Sequence, residues 1–202
     1  MKEKHIFENW CTEYSGVTFD NFFETPSETW NKRVKERGLI ILKGLPPTLS
    51  DQQFNQICGQ FGTLWTPAEY HATTPRGDPT LSKVATAHVS YFKTDNNHWK
   101  AGEMQYHADM AHIGPKSLPA RALFMVRTVS NGSGDTHWLN LEEAWAQFTD
   151  DEKAIFDNVT LEQHWMYVPG EKRELFPFLK TNIFTGKVSP RMNCYGKGKT
   201  WI

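Results

Sequence analysis

Residues 105–112 read QYHADMAH, and the rest of the chain can be organised around this stretch. On an extended segment, side chains at i and i+2 point to the same side, so His107 and Asp109 can face one centre. The small Ala108 between them turns away. An imidazole nitrogen and a carboxylate oxygen suit a divalent iron that is held by two histidines and one carboxylate on one face. The pair therefore predicts two ligands of an iron site, although such a pair also arises by chance in a chain with eight histidines.

The segments that follow give this pair a context. Residues 120–129 (ARALFMVRTV) are apolar and rich in β-branched side chains, which predicts a buried strand. Residues 130–134 (SNGSG) predict a turn, since glycine permits positive φ. Residues 135–138 (DTHW) then begin the next extended segment, for which we predict a strand over residues 136–139.

Together these segments resemble the TauD/TfdA-like family of iron(II)- and 2-oxoglutarate-dependent dioxygenases. In that family, Trp/Tyr-His-x-Asp is followed by a strand, by Gly-Gly-Asp-Thr and by a helix. Residues 106–109 (YHAD) and 134–136 (GDT) match this order, with Ser133 in the place of the first glycine. The resemblance implies an iron(II) and 2-oxoglutarate enzyme.

The resemblance also implies a role for each matching residue. His107 and Asp109 would be the catalytic pair that binds Fe(II), and the hydroxyl of Thr136 would bond a carboxylate of 2-oxoglutarate. The implied reaction hydroxylates a small-molecule substrate with O₂, while 2-oxoglutarate is decarboxylated to succinate. A second hypothesis is a truncated or degenerate, non-catalytic member that acts as a metal-binding or structural partner protein. A zinc hydrolase is weaker, because no ligand spacing typical of one is present.

Helix signals flank the predicted strands. Capping boxes at Thr25–Glu28 and Ser50–Gln53 precede segments with helical spacing of apolar residues. We expect helices over about 26–37, 51–61 and 141–148, and a further short helix from Thr149. Residues 1–24 are predicted to be irregular with a short strand, and residues 39–43 to be a buried strand. The order helix, strand, helix also resembles the amino-terminal portion of the family, so the likeness spans most of residues 25–193.

These elements predict a single domain over residues 1–202 of α+β class with a mainly β core. We expect strands 39–43, 120–129 and 136–139 to belong to one double-stranded β-helix (jelly roll, cupin-like), with the helices packed outside it. Residues 65–105 are the least regular part, and loops on a rigid scaffold commonly carry substrate contacts.

Substrate contacts are predicted in two places. Tyr70 and His71 lie in the loop-like stretch, where a plain surface loop is the alternative. Trp165 lies in residues 159–168 (VTLEQHWMYV), a strand-like run that resembles the family segment with a pocket-lining aromatic; a core tryptophan is the alternative. Asn182 occupies the place where the family often has a histidine that is not a ligand.

Composition and charge argue against several classes of protein. The formal net charge of −1 comes from 22 basic and 23 acidic residues without a long block of one sign, which argues against nucleic acid and anionic membrane partners. No apolar run is long enough for a membrane span, and no signal-peptide core follows Met1. Three widely spaced cysteines do not predict a disulfide framework. We therefore expect a cytoplasmic protein. The sequence leaves open whether the protein forms a homo-oligomer.

The resemblance to the family ends near the carboxyl terminus of the chain. The family's second histidine ligand and its carboxylate-binding arginine have no counterpart after Asn193, and Arg191 comes too early for that arginine. The chain is thus expected to be C-terminally incomplete relative to the family, to be degenerate, or to recruit a local third ligand. The candidates for a local ligand are His112, His137 and His164. With two ligands identified, we expect the 202-residue chain to bind Fe(II) weakly and to turn over 2-oxoglutarate slowly or not at all.

Overall fold

A computed structural model describes residues 1–64, 106–108, 120–126, 135–164, 173–191 and 200–201. Its helices are α1 (Phe19–Phe23), α2 (Ser27–Arg37), α3 (Asp51–Gly59), α4 (Leu141–Ala146) and α5 (Asp150–Phe156). Its strands are β1 (Lys2–His5), β2 (Thr12–Ser15), β3 (Ile40–Lys43), β4 (Thr160–His164), β5 (Arg173–Pro177), β6 (Leu179–Thr181), β7 (Val188–Pro190) and β8 (Thr200–Trp201).

The amino-terminal sheet has the order β1-β2-β3. Strand β1 pairs with β2 antiparallel, and β2 pairs with β3 parallel. Parallel neighbours need a crossover connection, which α1 and α2 provide between β2 and β3. The predicted strand at 39–43 is confirmed, while residues 1–24 contain two strands and a helix where one short strand was expected.

A core of aromatic side chains lies between this sheet and the helices. Trp30 on α2 is fully buried and stacks on Phe22 with ring centroids 4.8 Å apart. It also meets Tyr14 of β2 edge-on at 5.2 Å, and its Nε1 donates a hydrogen bond to the Phe22 carbonyl at 3.1 Å. Ile57 of α3 and Val17 complete the buried set, in which one tryptophan joins α1, α2 and the sheet.

Arg37, at the end of α2, fastens the β1–β2 connection. Its Nε donates to Thr12 Oγ1 at 2.8 Å, and its terminal nitrogens donate to the carbonyls of Glu8 at 2.6 Å and Trp10 at 3.2 Å, and to that of Phe7. A guanidinium can satisfy several carbonyls at once because its donors form a rigid planar fork. Arg37 thereby holds a loop that has few regular hydrogen bonds of its own.

The helix predictions are confirmed in existence and approximate bounds. The capping box at Ser50 and Gln53 is present, and α5 begins with the same reciprocal bonds between Thr149 and Glu152. The predicted box at Thr25 is wrong. Helix α2 begins after Pro26 without a side-chain cap, and the Thr25 N–H instead donates to the Phe22 carbonyl, which closes the turn after α1.

The carboxyl-terminal half contains two further sheets. Strands β5, β4 and β8 form an antiparallel sheet in that order, and β6 and β7 form an antiparallel pair. The strand predicted within 159–168 is confirmed over Thr160–His164, and the rest of that range lies outside the described residues. Phe156 of α5 stacks on Phe178 at 5.2 Å and meets Trp145 of α4 edge-on at 5.7 Å. This second aromatic cluster attaches the β6–β7 pair to the two helices.

Two strand predictions are wrong over the residues that the structure describes. Residues 120–126 form neither helix nor strand, and Leu123 and Met125 are 62% and 59% exposed; residues 127–129 are not among those described. Phe124 instead stacks on Phe54 of α3 at 5.5 Å. Residues 136–139 are exposed and lead directly into α4. An apolar, β-branched composition favours a strand only where a partner strand pairs with it.

The sheets in the described part of the chain are small, with three, three and two strands. The jelly-roll arrangement therefore stays a prediction. No helix within the described ranges is long and apolar enough to cross a membrane.

Candidate functional site

The predicted iron ligand His107 lies in the short described segment 106–108. Its side chain is partly buried, between the 48% exposed Tyr106 and the partly buried Ala108. A partly buried imidazole is a suitable donor for iron(II), because it is shielded from bulk water and still reachable. Other predicted site residues lie outside the described part of the chain: Tyr70, His71, Asp109, His112 and Trp165. Convergence of His107 and Asp109 on one centre therefore stays a prediction.

Thr136, the predicted 2-oxoglutarate contact, lies in the segment that enters α4. Its side chain is exposed, so its hydroxyl is accessible to a ligand from solvent. Asn140 ends this segment as the N-cap of α4, where its Oδ1 accepts hydrogen bonds from the N–H groups of Glu142 at 3.0 Å and Glu143 at 3.2 Å. The cap fixes the angle at which the Thr136 segment joins the helix.

Helix α4 is fastened in turn to the β6–β7 pair through Glu142. The Oε1 atom of Glu142 accepts a hydrogen bond from Asn182 Nδ2 and another from Thr185 Oγ1, the latter at 2.8 Å. Asn182 Oδ1 also accepts from the Phe184 N–H at 2.8 Å, which orients the amide. The segment that carries Thr136 is therefore supported by contacts between residues that are distant in the sequence.

The sequence identified Asn182 as a notable position but did not identify its partner. Glu142 and Thr185 were missed, because separations of 40 and 43 residues leave no local pattern.

Glu142→Ala is expected to lower the free energy of unfolding by about 1–3 kcal/mol, because it leaves the partly buried Asn182 amide without its acceptor. Urea unfolding measures the change. Glu143→Ala is the matched control: it is the neighbouring residue on the same helix, and it should change the midpoint little. Equal losses in the two variants would show that the contacts of Glu142 do not stabilise the fold.

A complete metal site is not formed by the described residues. Among them, no group of three or more His, Cys, Asp or Glu side chains could hold a metal ion. Of the alternative third ligands, His137 is exposed beside Thr136, and only the backbone of His164, in β4, is described. His107 is thus a chemically suitable donor for one position of the predicted iron site, and a full ligand set stays a prediction.

Other features of the described residues do not supply a competing site. Burial raises the pKa of the Cys58 thiol to about 11 and also raises that of Cys11. A thiol that stays protonated at neutral pH is a poor nucleophile and a poor metal ligand.

An open depression of about 580 Å³ runs along α3, lined by Asp51, Gln52, Asn55 and Gln56. Its lining is a polar face of one helix.

Comparison with protein families gives a match over nearly the whole chain. The family model described as "Taurine catabolism dioxygenase TauD, TfdA family" matches residues 3–190. This span contains His107, Asp109 and Thr136, and the described elements from β2 to β7. No curated protein matches the chain.

Proposed function

The chain belongs to the taurine catabolism dioxygenase TauD, TfdA family, and we propose that it is an Fe(II)- and 2-oxoglutarate-dependent dioxygenase that hydroxylates a small-molecule substrate. The family implies dioxygenase-type function and a cupin-like fold in general. The observation that carries the proposal is that the YHAD run at 106–109 and the GDT run at 134–136 both fall inside the matched span of residues 3–190.

Each motif residue has a proposed role. His107 and Asp109 hold Fe(II) through an imidazole nitrogen and a carboxylate oxygen, and Thr136 donates its hydroxyl to a carboxylate of 2-oxoglutarate. Bound iron would supply O₂ activation, in which 2-oxoglutarate loses CO₂ to become succinate and one oxygen atom enters a C–H bond of the substrate. A third ligand is required, and His112, His137 and His164 are the local candidates.

We also propose that residues 1–202 form one domain with a double-stranded β-helix core. Within it, Tyr70, His71 and Trp165 contact the substrate. The described contacts that support the arrangement are those that fasten the Thr136 segment to α4 and α4 to the β6–β7 pair. A protein that binds a small cofactor needs such support, because loosely held contact residues lose affinity to conformational entropy.

The test is conversion of 2-oxoglutarate into succinate in the presence of iron(II), ascorbate and O₂. We expect succinate to form in the same molar amount as 2-oxoglutarate is consumed, and formation to stop when a chelator removes the iron. The second candidate function, a non-catalytic family member, predicts iron binding without succinate. Succinate that forms equally with the chelator present would contradict the proposal.

Thr136→Val is expected to raise the 2-oxoglutarate concentration for half-maximal succinate formation by about 10-fold or more, since a hydrogen bond to a charged group contributes about 1.5–3 kcal/mol. Valine keeps the branched shape and removes only the hydroxyl. Thr136→Ser keeps the hydroxyl and should stay close to the unaltered chain. An unchanged half-maximal concentration in the valine variant would show that Thr136 does not bind the cofactor.

A further inference from the structure

Two basic residues lie on one face of the β6–β7 pair. In this antiparallel register Lys180 is opposite Ser189, and the Arg191 N–H donates to the Phe178 carbonyl at 2.7 Å, which continues the pairing by one step. Directly opposite residues share a face, as do residues two apart along a strand. Lys180, Ser189 and Arg191 therefore share a face, with the two cations as diagonal neighbours.

That face is the one that packs toward the helices. Phe178, which shares it, stacks on Phe156 of α5. Asn182, two residues beyond Lys180, reaches Glu142 of α4. The side chains of Lys180 and Arg191 are accordingly partly buried, and Ser189, which neighbours both, is only 3% exposed.

Among the described residues, positive charge predominates on this face. Neither Lys180 nor Arg191 makes an ion pair within the described residues, and the Nε–H of Arg191 donates to the Pro177 carbonyl at 3.1 Å. The carboxylate that acts on Lys180 is Glu142, and its Oε1 already accepts bonds from Asn182 and Thr185. Within the described residues, Lys180 thus lies near a cation, Arg191, and near a carboxylate, Glu142, that already accepts two hydrogen bonds.

The pKa values of Lys180 and Arg191 are also affected by these surroundings. Burial lowers the pKa of the Lys180 ammonium, the charge of Arg191 lowers it further, and Glu142 raises it in part. Burial also lowers the pKa of Arg191. Both groups are therefore held in surroundings that disfavour their charge, and a bound anion would relieve this.

We propose that Lys180 and Arg191, with Ser189 next to both, form a binding site for a small oxyanion, either a carboxylate or a phosphate. Arginine supplies a planar fork of donors and lysine a compact charge, a combination that suits an anion with several oxygens. The site shares no residue with the proposed iron ligands, so the experiments below test it separately from the proposed dioxygenase activity.

Thermal unfolding of the full chain tests the site. Sodium phosphate, sodium succinate and sodium chloride are compared at equal ionic strength. We expect phosphate or succinate to raise Tm in a saturable way, by about 2–4 °C at roughly five times its dissociation constant, and chloride not to do so. The arm that responds identifies the ligand as a phosphate or a carboxylate. An equal response to chloride would overturn the proposal, because it would mean that general screening causes the shift.

Variants assign the shift to these residues. Lys180→Met keeps the aliphatic stem and should lose the anion-dependent rise in Tm, while Lys180→Arg should retain it. Lys187→Met is the matched control, since Lys187 is exposed at the turn of the same hairpin and should leave the rise unchanged. Calorimetric titration of the responding anion provides a second readout that does not depend on the melting curve. Retention of the rise, or of binding, in Lys180→Met would overturn the proposal.

Discussion

Trp30→Ala is expected to lower the free energy of unfolding by about 3–5 kcal/mol, the range for removal of a large aromatic side chain from a core. Trp30 is fully buried, and its ring contacts those of Phe22 and Tyr14. Truncation opens a cavity at the point where α1, α2 and the first sheet meet. It also removes the indole N–H that donates to the Phe22 carbonyl. A total free energy of unfolding of about 5–15 kcal/mol is usual for a domain, so this loss is a large fraction of it.

Guanidinium unfolding measures this loss as a shift in midpoint at constant slope. Trp138→Ala is the control of the same residue type, because Trp138 is 49% exposed and its loss should change stability by about 0.5 kcal/mol or less. Trp30→Phe separates the two contributions, since it keeps an aromatic ring and removes the donor. Similar losses for Trp30→Ala and Trp138→Ala would show that the core is not organised around Trp30.

His107→Ala is expected to weaken Fe(II) binding by at least about 10–100-fold. Loss of a group that only orients a ligand already has an effect of about this size, and His107 is proposed to be a ligand itself. Anaerobic titration with iron(II) against a competing chelator measures the change. His5→Gln is the control, because His5 lies on β1 and its imidazole bonds Thr12.

Two further variants extend that experiment. Asp109→Ala should weaken binding as much as His107→Ala, because both residues are proposed to bind the same ion. His137→Ala examines one candidate for the third ligand, and a comparable loss there would identify it. Unchanged affinity in both the His107 and Asp109 variants would contradict the proposed iron site.

The helices could be predicted because their signals are local. Ser50 and Gln53 bond each other's backbone groups across three residues, and Gly38 ends α2 with a φ of 68° that glycine adopts readily. The same reasoning failed at Thr25, where the preceding helix α1, itself missed, takes up the threonine N–H. Local rules work when no neighbouring element competes for the same groups.

The strands were predicted less well because pairing partners are distant in sequence. Residues 120–126 have strand-like composition, yet they pair with no strand in the described part of the chain, and Phe124 stacks on Phe54 of α3. The candidate functional sites also divide into features that are local in the sequence and features that depend on distant residues. The His107 and Asp109 pair is visible at i, i+2, whereas the bonds from Glu142 to Asn182 and the alignment of Lys180 with Arg191 depend on tertiary packing and strand register.

The most direct measurement of the central claim is iron(II)-dependent succinate formation by the unaltered chain beside His107→Ala. Its dependence on His107 is the decisive quantity: the two identified ligands alone predict slow turnover or none, whereas the dioxygenase proposal requires a measurable rate that depends on His107. The proposal predicts succinate from the unaltered chain, an undiminished rate in His5→Gln, and none above the chelator control in His107→Ala. Equal succinate formation by the unaltered chain and His107→Ala would contradict it.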